Sequence, residues 1–296
     1  MYNWIDLHIH SRISNDGTYA PAVLIRTCAE RHIRVAAISD HNSVRGLTEA
    51  TRVAAQEGVE LICAAEFDCQ YQGHNLHVLG YGIDTGAEIL RELEADSVRR
   101  EREMTSGRLE KIQALGIELN ERILKNHNVH GMITSEGIAI TALEDMCNDH
   151  HPLLEPYRPG NSHGNPIAEF YWDFFAEGKP AFVPSTYPEL FELTAMIHEL
   201  SGIAVLAHPA VNIDHNEALF AELVACGLDG VEVYSSYHDA ETIAFYATLA
   251  ERHGLLQTLG SDFHGRVKPA IHLGEIHCPC QDEIYSELTS MLDAMR

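Results

Sequence analysis

Residues 4–10 read Trp-Ile-Asp-Leu-His-Ile-His, an apolar run closed by two histidines two positions apart. Side chains alternate along a strand, so His8 and His10 project from one face, which Asp6 shares. Two imidazoles at the end of a buried strand suit a divalent transition metal. Taken alone, the pair fits an edge strand with two surface histidines equally well.

The pattern recurs. Apolar runs predict further strands over 35–41, 59–68, 75–84, 203–208, 230–234 and 255–264, with Gln72-Gly73 as a turn between the third and fourth. Amphipathic stretches over 21–32, 44–57, 188–200, 216–226 and 240–253 predict helices between them. Pro21 opens the first and Gly58 stops the second. Alternating strands and helices imply an α/β fold with a parallel sheet or barrel. The middle differs. Residues 86–115 form a highly charged helical stretch ended by Gly116. Shorter helices follow near 138–147 and 166–177, on either side of a polar loop at 150–165. The expected organisation is a barrel domain from 1–84 and 186–296, with a helical insertion at 85–185 that serves as a substrate cap.

Composition narrows the classes of function. The chain has 296 residues, 45% of them hydrophobic, and no apolar run near the roughly 20 residues of a membrane span. No basic, then apolar leader opens it, so the cytoplasm is the expected location and no membrane partner is expected. With 44 acidic and 20 basic side chains the net charge is −24, which argues against an extended nucleic-acid footprint. A single phosphate held by metal ions stays compatible. The seven cysteines form no CxxC, and Cys278-Pro-Cys280 has no obvious metal-binding partner, so free thiols are expected.

Histidine is over-used, at 19 residues. Where the predicted strands end, or just after, stand His8, His10, Asp16, His41, Glu66, His77, His208, Asp262 and His264. In a parallel barrel such ends converge on one face, where barrel active sites are built. Six imidazoles and three carboxylates exceed the needs of one ion, which takes about four ligands. Three ions sharing a carboxylate would use them, with Glu66 as the natural bridge. The mixed donor set fits Mn, Fe or Zn and not an all-oxygen Mg or Ca site.

These residues resemble a known family. Asp6-Leu-His8-Ile-His10-Ser11, Ser39-Asp40-His41-Asn42, Glu66, Leu206-Ala207-His208-Pro209 and Ser261-Asp262-Phe263-His264 are similar, in order and type, to the motifs of the PHP (polymerase and histidinol phosphatase) family. Residues 177–184, Glu-Gly-Lys-Pro-Ala-Phe-Val-Pro, resemble its stand-alone phosphoesterases that act on nucleotides. The resemblance implies a distorted seven-stranded (β/α) barrel with a trinuclear metal centre. It implies one ion on His8, His10, Glu66 and Asp262, a second on Glu66, His77 and His208, and a third on Asp16, His41 and His264. Two departures stand out. Thr134-Ser135-Glu136-Gly137 occupies the place where those phosphoesterases often carry Thr-Arg-Pro-His, and Asp16 lies one residue further from His10 than in many members. The Asp-Gly step is kept, which selects Asp16 over Asn15.

The expected activity is metal-dependent hydrolysis of a small phosphomonoester, an AMP-like nucleoside monophosphate, by a hydroxide bridging two ions. Glu66, Asp262 and His208 are the residues expected to carry catalysis. Arg158, Lys179 and Arg266 are candidates for gripping the substrate. A phosphodiesterase acting on a cyclic or oligonucleotide phosphate is the nearest alternative. An amidohydrolase and a non-catalytic PHP module fit less well. The chain offers Glu66 where amidohydrolases often use a carboxylated lysine, and every ligand position of the family is filled.

Overall fold

The structure is a computed structural model that describes residues 3–14, 16–128, 132–161 and 165–295. Asn15 and part of the polar loop at 150–165 lie outside the described residues. The chain divides into two compact units, residues 1–93 with 187–296, and residues 94–186.

The first unit is built on seven strands: β1 (Ile5–Ile9), β2 (Val35–Ile38), β3 (Glu60–Tyr71), β4 (His74–Tyr81), β5 (Ile203–Leu206), β6 (Gly230–Ser235) and β7 (Leu256–Gly260). They pair in sequence order from β1 to β7. The sheet curls until its edges meet. Beyond β7, Phe263 pairs with Ile9, the Asp262 amide donates to the His8 carbonyl at 2.9 Å, and the His10 amide donates to the Phe263 carbonyl at 2.9 Å. The short strands β1, β2 and β5 are buried along their whole length, as strands covered on both faces must be. Around them lie α1 (Pro21–Glu30), α2 (Leu47–Glu57), the start of α3 (Glu88–Ala114), α7 (Leu190–Glu199), the single turn α8 (Pro209–Asn212), α9 (Glu217–Val224), α10 (Ala240–His253) and α11 (Gln281–Met295). Gly58 and Gly254 end α2 and α10 in left-handed conformation, the C-cap that glycine allows without a Cβ clash.

One expectation is corrected. The sheet is not wholly parallel, because β4 runs antiparallel to both β3 and β5. The cause is local. Gln72 and Gly73 both take positive φ, 47° and 86°, the conformation of a tight two-residue hairpin that returns the chain beside the strand it left. Glu66 and His77 therefore sit within a ladder and not at strand ends, since β3 continues to Tyr71. The sheet still brings Glu66 level with the end of β2, where His41 pairs with it. Residues after His264 carried no expected element. There the chain adds α11, whose entry is tied to the strand starts: Gln281 accepts from the Trp4 amide at 2.9 Å, and the Tyr285 hydroxyl donates to Glu60 at 2.6 Å.

The second unit is helical. It holds most of α3, then α4 (Glu121–His127), α5 (Ser135–Glu144) and α6 (Pro166–Phe170), the last running into a π-helical turn at Tyr171–Phe175. Its core gathers Ile112, Ile138, Leu154, Phe170 and Phe174, with Phe170 and Phe174 stacked at 4.3 Å. Thr134 and Asn165 cap α5 and α6 with their side chains. No helix among the described residues is long and apolar enough to cross a membrane.

Gly260 closes the barrel by close approach. A Cβ there would stand 2.1 Å from the Cβ of His8 and 2.4 Å from a carboxylate oxygen of Glu232. Neither neighbour has room to retreat, since both are fully buried. Gly260→Ala is expected to lower the unfolding free energy by roughly 1–3 kcal/mol or more, the usual cost of overpacking a filled core. Thermal or urea unfolding measures it, and an unchanged midpoint would contradict the close-approach argument.

Candidate metal centre

Four nitrogen and oxygen donors face one another on the first strands and the last. His8 Nε2 and His10 Nε2 lie 3.0 Å apart. Glu66 Oε2 stands 3.2 and 3.1 Å from them, and Asp262 Oδ1 stands 3.3 and 3.0 Å from them. A tetrahedron with metal bonds of about 2.0–2.1 Å has edges of about 3.3 Å, so this cage has the dimensions of a four-donor site. A second group joins His10, Asp16, His41 and His264, and a third joins His41, Glu66 and His77. Asp16 Oδ2 lies 3.1 Å from His264 Nε2 and 3.5 Å from His41 Nε2. The other oxygen of Glu66, Oε1, lies 3.1 Å from both His77 Nδ1 and His208 Nε2. Glu66 thus splits its carboxylate between two sets of imidazoles. The nine donors named from the sequence lie in or beside these groups, which add His10 to the Asp16 set and His41 to the Glu66 set, while His208 reaches Glu66 outside them.

The imidazoles are held so that their lone pairs face the centre. His8 Nδ1 meets Glu232 Oε1 at 3.0 Å, His10 Nδ1 meets the Ser14 hydroxyl at 3.2 Å, His208 Nδ1 meets Asn212 Oδ1 at 3.2 Å, and His264 Nδ1 meets the Asp262 carbonyl at 2.8 Å. Ser14 passes its own proton to Asp40 at 3.1 Å, so its oxygen is free to accept from His10. Each of these partners takes the Nδ1 proton, which leaves Nε2 unprotonated in the neutral ring. In that tautomer, Nε2 lone pairs and carboxylate oxygens confront one another without a proton between them. A cation between them resolves the conflict. Asp16 Oδ1, Glu66 Oε2, His41 Nδ1 and His264 Nε2 are buried and lack a hydrogen bond, which fits the same reading.

The backbone is strained where it serves the site. Asp262 and His208 hold φ of 54° and 26°, and Asn42 holds 52°, in the left-handed region that non-glycine residues seldom enter. Each is clamped. The Asp262 amide donates to the His8 carbonyl, the His208 amide to Glu232 Oε2 at 2.9 Å, and Asn42 exchanges two hydrogen bonds with Asp68.

Charge follows from burial and neighbours together. Burial opposes the charge on Glu66, but His8, His41 and His77 outweigh it and hold the carboxyl well below the usual carboxylate range. Asp262 and Asp16 behave alike, with His264 the foremost opposing neighbour of each. Burial likewise works against protonated His8 and His41, and the surrounding carboxylates raise both well above the usual imidazole range. Asp6 is the contrast. It is fully buried too, but it meets only hydrogen-bond donors, from Ser261, Gly274 and His8, and burial wins, raising its pKa. Asp6 is a strut that ties the end of β7 to β1, through the Ser261 amide at 2.9 Å.

Three carboxylates at the site escaped the sequence reading as ligands or partners. Asp68 lies two residues beyond Glu66 on the same strand face, opposite His77 in the ladder, and 3.5 Å from both His41 and His77. Glu232 is fully buried within β6 and spans His8 and His208. Asp40 receives four bonds from Ser11 and Ser14. The signals were present: a Glu-x-Asp alternation in β3, and a lone acid inside an apolar strand. Of the expected substrate-gripping residues, two belong to the second unit and one to the first. Arg158 and Lys179 belong to the second unit, where Arg158 donates to the carbonyls of Leu143 at 3.0 Å and Asn148 at 2.6 Å. The Arg158 guanidinium is thereby a brace within the insertion. Arg266 is exposed on the turn after His264. Cys278 and Cys280 hold their sulfurs 3.9 Å apart beside the Tyr234 hydroxyl, and none of the seven cysteines is in a disulfide.

The model of the PHP domain matches residues 6–158, more than half of the 296-residue chain. The chain belongs to the PHP family. It is 29% identical over 282 residues to the 3',5'-nucleoside bisphosphate phosphatase of Chromobacterium violaceum, covering 88% of this chain and 87% of that one. It is also 29% identical to the phosphoribosyl 1,2-cyclic phosphate 1,2-diphosphodiesterase of Eggerthella lenta, over 91% of this chain and 97% of that one. Among solved structures, one described as a metal-dependent phosphoesterase from Bifidobacterium adolescentis superposes with a TM-score of 0.75 at 25% identity, covering 97% of this chain and 96% of that one. This PHP protein is a metal-dependent phosphoesterase with the family's barrel fold.

Glu232 gives the site a test that touches no proposed ligand. Removing it strips His8 of its Nδ1 acceptor and the strained His208 of its amide anchor. Glu232→Ala is expected to weaken metal binding by roughly 10- to 100-fold, the usual effect of losing such a partner. Chelator competition measures this, and wild-type affinity in the variant would contradict the assignment.

Proposed function

We propose that this PHP protein is a phosphomonoesterase that removes a terminal phosphate from a small nucleotide, with an AMP-like nucleoside monophosphate as the reference substrate. The observation that carries the reading is the charge inventory of the centre. Among the described residues, the carboxylates within 3.5 Å of the converging imidazoles are Asp16, Glu66, Asp68, Glu232 and Asp262, and Lys268 pairs with Asp262. Two divalent ions and Lys268 would bring five positive charges against those five, and leave no attraction for an anion. Three ions would bring seven and leave two, before a hydroxide nucleophile binds. A phosphomonoester carries about −1.5 to −2 at neutral pH, so three ions suit it.

The chain's own residues divide the work. His8, His10, Glu66 and Asp262 would hold one ion, Glu66 with His77 and His208 a second, and Asp16, His41 and His264 a third. Mixed imidazole and carboxylate donors suit Mn, Fe or Zn. When bound, such ions neutralise phosphate oxygens and make a water nucleophilic near neutral pH. Glu66 keeps two of the donor sets in register, one carboxylate oxygen to each. Asp262 and His208, locked in strained backbone, aim their donors without a search through rotamers.

The named activities of the relatives support this reading and supply a second. A nucleoside bisphosphate phosphatase favours monoester cleavage on a nucleotide, whereas a cyclic phosphate diphosphodiesterase of equal identity favours diester opening. A phosphate-release screen with Mn²⁺ separates them, using AMP, 3',5'-bisphosphates, sugar phosphates and cyclic diesters. The reading predicts that monoesters are turned over with kcat/KM at least about tenfold above diesters, one log unit being 1.4 kcal/mol. Turnover confined to diesters contradicts it.

A further inference from the structure

Lys268 has no role in the ligand sets above, yet it touches one of the ligands. Its Nζ donates to Asp262 Oδ2 at 2.7 Å and to the Tyr237 hydroxyl at 2.8 Å. Tyr237 in turn donates to the same Asp262 Oδ2 at 2.5 Å. Both donors occupy one carboxylate oxygen, and the other, Oδ1, faces His8 and His10. Asp262 thereby presents a single oxygen, Oδ1, to the four-donor cage.

The triad also lies where the buried centre meets solvent. The Asp262 side chain is 3% exposed and the Lys268 side chain 35%. Tyr237 is 39% exposed, and its ring stands edge-on to His208 with centroids 5.8 Å apart. Tyr237 therefore links the Asp262 side of the centre to the His208 side. An ammonium carries three N–H donors and no acceptor. Two are committed to Asp262 and Tyr237, and the third has no partner among the described residues.

We propose that Lys268 is a substrate-facing cation of this centre, giving its third N–H to a non-bridging phosphate oxygen while the other two hold Asp262 and Tyr237. This rests on the phosphomonoesterase reading and adds a specificity-determining residue to it. The ammonium sits one hydrogen bond from a ligand carboxylate, so a phosphate bound at the centre meets it at short range. The bond is charge-assisted at both ends, the class that contributes most to phosphate recognition.

Orthophosphate, the product, is the probe. Its Kd is measured by calorimetry on protein saturated with Mn²⁺, with metal content determined on the same samples. Lys268→Met is expected to keep the wild-type metal content and to raise the orthophosphate Kd by roughly 10- to 100-fold, the range for a hydrogen bond to a charged group. Lys268→Arg, which restores a cation, is expected to recover most of the affinity. An unchanged Kd in Lys268→Met overturns the proposal. So does loss of bound metal at saturation in Lys268→Met, which would make Lys268 a brace for Asp262 alone. Wild-type protein that binds no orthophosphate when loaded with metal overturns the phosphomonoesterase reading and Lys268's role together, whereas wild-type binding with an unchanged variant overturns the Lys268 role alone.

Discussion

The site depends on the burial of one carboxylate. Glu66 has no exposed surface, and taking a lone carboxylate out of water costs several kcal/mol even after the protein relaxes. Its two oxygens are met by imidazoles from five positions: His8, His10 and His41 on one, His77 and His208 on the other. In a metal-free protein the compensation comes from His8, His41 and His77, whose protonated forms the neighbouring carboxylates favour against burial. With ions bound, the same positions present lone pairs. The arrangement tolerates both, because the outer nitrogen of His8 is anchored to Glu232 in either state.

The barrel makes this arrangement cheap to hold. Parallel strands bring His8, His10, His41, His208, Asp262 and His264 to one end, and the antiparallel hairpin slides Glu66 and His77 to the same level from within a ladder. A carboxylate within a strand is steadier than one on a loop, since its backbone is bonded on both sides. Closure of the sheet is part of the chemistry as well. The amide that ties Asp262 to β1 joins the last strand to the first and also sets the ligand's direction. Asp6, with its raised pKa, serves this closure and stays outside the donor set.

Much of this was legible in the sequence for a physical reason. Metal binding needs specific donor atoms, so His8, His10, His41, His208, Asp262 and His264 stand out as polar residues closing apolar runs, with Asp16 in the loop after the first. The direction of β4 was not legible from periodicity, because alternation reads the same in both directions along a strand. The turn residues Gln72-Gly73 held that information, and their positive φ makes the hairpin tight. Glu232 was hidden because a single acid in an apolar run has no partner until the fold places His8 and His208 around it. Lys268 was invisible for the same reason: its significance is its distance to Asp262, six residues away in sequence but reached through a turn. Arg158 was legible as a charge in a polar loop, but not as the guanidinium that donates to the carbonyls of Leu143 and Asn148.

Glu66 offers its two oxygens to different imidazole groups, and in the proposed function that one carboxylate supports more than one ion. Metal analysis of Mn²⁺-loaded wild-type and Glu66→Gln protein after gel filtration tests it most directly. This single isosteric change is expected to remove more than one ion equivalent per chain, because the two oxygens serve different imidazole groups. Loss of one equivalent or none, in a variant that remains folded, would contradict it.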